Sequence, residues 1–322
     1  MAVYVNTNYS ALQGQRYLGN VQNSLTTTYQ RLSSGLRINS AKDDAAGLQI
    51  ADRLTSQING LNQGNRNASD GIALAQTMEA GMDEISGMLQ KIRTLTVQAS
   101  NGTNTVQDRQ ALAKEVASLA TEVNRIATQT TFAGKTILNG KGDNALFGKD
   151  GQNNNGTAGK AGADGSVTLQ VGSNKGDTIT FNATSVMFSK IAEDTELVQK
   201  AAQNKVFGTD ENTGEVKVLF SKATTGTGKD SFGAIIDLMD KAIAKVDGMR
   251  ADLGAIQNRL ESSIRNQSNV AANEADARSR IRDADFAEES ANLSQQSIIQ
   301  QAAASMLMQA NTRPQLGLSL LG

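Results

Sequence analysis

The 322-residue chain has no cysteine, no histidine and no tryptophan, and only one proline. Without cysteine it can form no disulfide and offers no thiolate as nucleophile or metal ligand. Without histidine it lacks the commonest general base and the commonest metal ligand at neutral pH. Four tyrosines and eight phenylalanines complete its aromatics, so large anchors for a compact core are few. A formal net charge of −1 gives no electrostatic reason to bind nucleic acid or an anionic membrane. Residues 1–6 have neither a basic start nor an apolar run, so no cleaved leader is expected. Residues 290–312 carry no charge and match a bilayer in length, yet Gln295, Gln296, Gln300 and Gln309 would be costly in hydrocarbon. No membrane insertion is expected.

What is present is helical. Ala, Leu, Ile, Val, Ser, Thr, Asn and Gln dominate, as suits long helices with narrow apolar stripes. Residues 32–54 organise the rest. Before them, Ala11, Gly14, Leu18, Val21, Leu25, Thr28 and Leu32 alternate three and four apart, the seam of a helix packing along another helix. After them, Ala51, Leu54, Ile58 and Leu61 begin a second seam. Ser33, Ser34 and Gly35, then Asn39 and Ser40, stop the first helix. Ser40 is the expected N-cap of the second, with Asp43 and Asp44 in its first turn. A joint between two rods suits a building block better than an enzyme pocket.

The second seam continues through Asn65, Ala68, Ile72, Ala75, Met82, Ile85, Leu89, Ile92 and Ala99, and Asn101-Gly102 ends it. At ~1.5 Å per residue, helix 44–100 is about 80 Å long. A third helix, 105–129, carries Leu112, Val116, Leu119, Val123 and Ile126 on one face, which predicts an antiparallel return along the second. Residues 141–165 read as loop. Segments 167–171 and 178–181 alternate like strands about a turn at 172–176, and 206–207 with 216–220 predict a second hairpin; 193–204 predict a short helix. Helical periodicity resumes at Phe232 with Leu238, Met249, Leu253, Ile256, Leu260 and Ile264. It continues to Pro314 and Gly317, which are expected to end it. Ends this long must pair with each other or with other copies. The free ends, 1–40 and 285–322, are expected to stay unordered until neighbours cover them.

Signals for chemistry fail on inspection. Asp43 with Asp44, and Asp283 with Asp285, are read as capping and salt-bridging carboxylates, since no histidine accompanies them and Lys42 and Arg282 stand adjacent. The 226–231 stretch lacks the first glycine of a phosphate loop, and 150–161 lacks the sixth and twelfth residues of a calcium loop. Met78, Met82, Met88, Met249, Met306 and Met308 are read as adaptable packing. No cofactor, metal site or catalytic residue is expected.

The blocks Leu32-Ser33-Ser34-Gly35-Leu36-Arg37-Ile38-Asn39-Ser40, Asn67-Ala68-Ser69-Asp70-Gly71, Asn258-Arg259-Leu260, Asp283-Ala284-Asp285-Phe286-Ala287 and Leu318-Ser319-Leu320-Leu321 carry a family resemblance. The chain resembles bacterial flagellin over roughly its first 140 and last 90 residues. The resemblance implies a mainly α fold, a long antiparallel helical coiled-coil bundle of the N- and C-terminal segments with a small β-containing outer region. It implies three layers: 1–43 with 284–322 as inner filament core, 44–140 with 166–183 and 232–283 as helical shell, and 141–165 with 184–231 outside. The implied function is a structural subunit that self-assembles into the extracellular flagellar filament for swimming, exported unfolded by the flagellar type III apparatus. Other copies of the chain, a cytoplasmic export chaperone, and hook-associated and cap proteins are the implied partners.

Leu18, Val21, Leu25, Leu32, Leu293, Ile298, Met306, Leu307, Leu320 and Leu321 are the expected assembly core. Lys91, Arg93, Leu95, Gln98 and Glu115 match the patch read by the host Toll-like receptor for flagellin, with Lys91 where an arginine is usual. Lysine there loses a bidentate fork. The alternative reading is a secreted, non-polymerising helical adhesin. The uncharged, striped ends separate the two, because only assembly would bury them.

Overall fold

The structure is a computed structural model that describes residues 7–140, 145–147, 165–183, 185–188, 190–191, 207–209, 216–218, 220 and 232–319. Among these residues are five named helices: α1 (Tyr9–Ser34), α2 (Ala45–Ser100), α3 (Val106–Gln129), α4 (Phe232–Arg282) and α5 (Phe286–Ser319). Three antiparallel hairpins accompany them: β1 (Thr131–Phe132) with β2 (Lys135–Thr136), β3 (Gly165–Gln170) with β4 (Thr178–Ala183), and β5 (Phe207–Thr209) with β6 (Val216–Val218). The mainly helical fold with small hairpins is as expected from sequence. The expected helix at 193–204, the phosphate-loop-like 226–231, the calcium-loop-like 150–155 and most of loop 141–165 lie outside the described residues.

Two compact units divide the chain: a terminal unit, Met1–Asn59 with Asn269–Gly322, and a central unit, Gly60–Ser268. Both divisions fall within helices, α2 and α4, and not at the joints.

The central unit holds both hydrophobic clusters. Met78, Met82, Ile85, Leu89 and Ile92 of α2 meet Val116, Ala120 and Val123 of α3 and Met239, Ala242 and Val246 of α4, all buried. The α3 seam is rotated from expectation. Alanines 113, 120 and 127 take the deep positions, and Leu112, Leu119 and Ile126 flank them half-buried, because small side chains let the helix approach closely. The scarce aromatics are concentrated here. Phe147 stacks on Phe181 at 6.0 Å, Phe220 meets Phe232 at 5.7 Å, and the Arg109 guanidinium sits 5.4 Å from the Phe232 ring centre. Thr105 and Asp108 close a reciprocal capping box that starts α3.

The β3–β4 hairpin expected about the 172–176 turn forms, with Val167 opposite Phe181 and Leu169 opposite Ile179. It is seated on α2 where that helix presents Gly60, Gly64, Ala68 and Gly71 along one side. A Cβ on Gly64 would fall 2.2 Å from the Val171 carbonyl oxygen, and one on Gly71 would fall 2.4 Å from Leu169. The glycines therefore set how closely the hairpin approaches. Hairpin β1–β2 escaped the sequence reading. Its turn places Ala133 and Gly134 at φ 49° and 78°, the left-handed pair of a type I′ turn, with alanine where asparagine or glycine is usual.

In the terminal unit, α1 lies along α5. The α1 seam is the one read from sequence: Ala11, Gly14, Leu18, Val21, Leu25 and Leu32 are half-buried and Thr28 is buried. The two ends thus find each other within one chain, one of the two pairings expected of ends this long. The pairing is shallow, with Glu289 and Ala303 the buried side chains of α5. A correction concerns α5 itself, which runs five residues past Pro314 to Ser319. Proline removes one backbone donor but does not forbid helix on its C-terminal side. No helix among the described residues is long and apolar enough to cross a membrane.

Candidate assembly surface

The joint forms first from local chemistry. Gly35 caps α1 at φ 71°, and its carbonyl accepts from the Ala284 N–H at 3.0 Å. Leu36 pairs with Asp283 in an isolated antiparallel bridge, and the Arg37 N–H donates to the Arg282 carbonyl at 2.7 Å. Main-chain bonds thus tie two loops nearly 250 residues apart. The N-cap of α2 is Asp44, which accepts from the Gly47 N–H at 2.9 Å, and not Ser40. Ser40 instead serves Asp43, whose Oδ2 accepts from the Asn39 and Ser40 N–H groups and the Ser40 hydroxyl at 3.1, 2.9 and 3.1 Å. The Ser40 and Asn39 N–H groups hold the Asp43 carboxyl below its ordinary value of 3.8. Asp285 caps α5 by accepting from the Ala287 N–H at 2.8 Å. Asp44 and Asp285 cap and Asp43 clamps the joint through backbone and hydroxyl bonds.

A depressed carboxyl value fixes the sign of an acid effect. Asp43 stabilises the joint above its unfolded value near 3.8, and that contribution is lost as pH falls through the lower folded value. Asp43→Asn should therefore lower the thermal midpoint near neutral pH, and the gap from the parent should close as the pH falls through the depressed folded value. Melts followed by circular dichroism across that range test this. A gap independent of pH would assign the loss to packing.

Polar contacts set the register of α1 on α5. The Thr28 hydroxyl donates to Gln296 Oε1 at 3.3 Å, Arg31 pairs with Glu289 at 3.2 Å, and Asn8 Nδ2 donates to the Ala310 carbonyl at 2.7 Å. Leu18, Val21, Leu25 and Leu32 face α5, and Leu293 and Leu307 are half-buried on the facing side. Ile298 is not on that side and Met306 stands only at its edge: they are 67% and 70% exposed. Nine residues at about 100° each put Ile298 opposite Leu307, so the single stripe read from sequence is two faces. Leu320 and Leu321 lie outside the described residues.

The uncovered surface carries large apolar side chains among polar ones. Tyr9, Leu12, Tyr17 and Tyr29 of α1 and Phe286, Ile298, Met306 and Met308 of α5 are all more than half exposed. Of the large exposed apolar side chains among the described residues, all but Val97 and Val106 lie in the terminal unit. The tyrosines were missed as site residues, although a signal existed: all four of the chain's tyrosines fall within its first 29 residues. Tyrosine, apolar in body and polar at its tip, is enriched at interfaces.

The candidate receptor residues do not share one face. Lys91 pairs with Glu115 of α3 at 3.2 Å, and Gln98, two turns on, is exposed on the same side of α2. Arg93 points round the helix to Asp240 of α4, with Nη2 to Oδ2 at 3.1 Å. That bond raises the arginine's value and holds Asp240 below the ordinary range. Leu95 is buried in the core at 8% exposure, since its position on α2 faces the α3 and α4 seams. No cluster of acidic side chains that could hold a metal exists among the described residues.

A helical structural protein built from its two chain ends, with an apolar face left uncovered, is the class that this fold and surface define. Residues 5–143 match the bacterial flagellin N-terminal helical region, and residues 236–321 match the bacterial flagellin C-terminal helical region. The chain belongs to the bacterial flagellin family and is a structural protein of the flagellar filament. It is 37% identical over 377 residues to Flagellin D of Vibrio anguillarum, and 37% identical over 380 residues to Flagellin B of Vibrio cholerae serotype O1. Each alignment covers all of both chains. A structure from Vibrio parahaemolyticus described as a flagellar hook-associated protein shares the fold, with TM-score 0.53 and 18% identity over 75% of this chain and 100% of that one.

Proposed function

We propose that copies of this chain assemble, through the exposed faces of α1 and α5, into the filament that drives swimming. One observation carries the reading: the large exposed apolar side chains are concentrated on the chain ends, where a soluble monomer would not keep them uncovered. The central unit buries its own stripes and needs no neighbour for its core. In the assembled state 1–43 with 284–322 form the inner layer, 44–140 with 166–183 and 232–283 the next, and 141–165 with 184–231 the outer one. The chain reaches the filament unfolded, held by an export chaperone, and meets hook-associated and cap proteins at the filament ends. Lys91, Gln98 and Glu115, which share an exposed side, are the part of the candidate receptor patch open to a host Toll-like receptor.

Purified protein seeded with sonicated filament fragments and viewed by negative-stain microscopy tests the central claim. Long filaments whose mass grows with added monomer are expected. Protein that stays monomeric at every concentration, with its helices intact, would favour the non-polymerising adhesin instead.

A further inference from the structure

The chain's sulfur chemistry resides entirely in nine methionines, because it has no cysteine. It also has no histidine and no tryptophan to compete for a two-electron oxidant. The structure sorts these methionines into two kinds. Met78, Met82 and Met239 are at most 1% exposed, and Met88, Met187 and Met249 pack half-buried against the same core. Met306 and Met308 are 70% and 67% exposed on α5. Met306 also stands in an open groove of about 890 Å³ between α1 and α5, beside Tyr17, Gly14 and Ala303. Met1 lies outside the described residues.

We propose that Met306 and Met308 form an oxidant-responsive modification site, and that their conversion to sulfoxides disables the free subunit for assembly. The second half rests on the assembly reading above. With a peroxide, the thioether lone pair attacks one oxygen. The O–O bond breaks, an S–O bond forms, and the other oxygen leaves as water. The sulfur is oxidised by two electrons and the peroxide reduced. Two thiols of a sulfoxide reductase can reverse the step, becoming a disulfide as the sulfoxide oxygen departs as water.

The consequence follows from where the two side chains stand. A thioether is flexible and apolar, and adapts to whatever neighbour covers it. A sulfoxide is polar and chiral, and loses its water when a second copy covers the face. The buried methionines cannot react without local opening of the core, so the free subunit is oxidised at its assembly face before its fold suffers. Once assembled, the same face is covered and protected.

The test treats the full-length free protein with graded hydrogen peroxide, maps sulfoxides by peptide mass spectrometry, and measures seeded growth. Met306 and Met308 are expected to oxidise at least tenfold faster than Met78, Met82 and Met239, with helical content unchanged and growth lost. Sulfoxide reductase with a dithiol should restore growth. The growth of Met306→Leu with Met308→Leu, at whatever level it has before treatment, should not fall after peroxide. Equal oxidation of exposed and core methionines would overturn the site. Growth that survives full oxidation of both residues, or a double variant that loses growth as the parent does, would overturn the switch. An untreated parent that never grows from seeds would instead sink the assembly reading and the switch with it, while the mapping still decides the site.

Discussion

Ile298→Lys is expected to abolish seeded polymerisation while leaving the free chain's helical content and melting midpoint unchanged. Ile298 is 67% exposed on the side of α5 that faces away from α1, so in the monomer the lysine simply extends into water. Exposed substitutions of that kind shift stability by no more than about 0.5 kcal/mol. In a polymer every copy carries the same charge at the same place. Each close pair of ammonium groups in a partly dehydrated ring would repel by roughly 1–4 kcal/mol, beyond the cost of stripping their water. Residues 290–312 contain no charge, which is the composition expected if such repetition is harmful. Leu307→Glu would be a less informative variant, because Leu307 lies over Gly14 of α1 and its loss would unseat the helix pair itself. Sedimentation of seeded growth, alongside circular dichroism of the free chain, checks the expectation. Normal growth of the Ile298→Lys protein would remove this face from the interface.

A single methyl group placed on α2 should act in opposite directions depending on which glycine receives it. Alanine is favoured over glycine inside a helix by about 1 kcal/mol. At Gly87 nothing lies within 4 Å of the added Cβ, so Gly87→Ala should stabilise by most of that amount. At Gly64 the same Cβ lands 2.2 Å from the Val171 carbonyl oxygen and 2.7 Å from its carbon. That obstacle is backbone. The Val171 and Gly172 N–H groups both donate to the Asp177 carbonyl, at 2.9 and 3.2 Å, and Asn67 Nδ2 donates to the Gln170 carbonyl at 2.9 Å. The turn therefore cannot rotate aside as a side chain would. Overpacking of this kind costs about 1–3 kcal/mol, and more where backbone must move. Gly64→Ala should thus destabilise the central unit by about 2 kcal/mol net, a fall of roughly 5 °C in its melting midpoint. A rise at both positions would show that the hairpin is not seated on the helix.

Where regular spacing carried the information, the sequence was a good guide. Every member of the three-four alternation of α1, from Ala11 to Leu32, is half-buried or buried, because one helix packing on one partner covers a narrow seam. Hairpin β3–β4 was equally legible, since Val167, Leu169, Ile179 and Phe181 alternate and two glycines bound the turn. The glycine side of α2 was not, because a residue that matters by leaving space carries no hydrophobic signal. Nor were the two faces of α5: apolar residues occur around its whole circumference, so Ile298 and Leu307 read as one stripe until a partner helix fixed the rotation. Leu95 was misplaced for the converse reason. Its match to a surface motif says nothing of which way its side chain turns, and the core of α2, α3 and α4 claims it. Asp44 displaced Ser40 as N-cap because Asp43 already engages Ser40, a competition between neighbours that spacing alone does not rank.

The placement of the tyrosines gives the molecule an optical label of its own. With no tryptophan anywhere and every tyrosine within the first 29 residues, the chain's tyrosine fluorescence arises from its N-terminal segment alone. Tyr9, Tyr17 and Tyr29 are in water in the free chain, and their phenol rings would lose that water on docking against a second copy. Emission intensity and quencher access therefore report on α1 separately from the phenylalanine-lined central unit. Polymerisation could be timed, and its critical concentration found, on unlabelled protein in a cuvette.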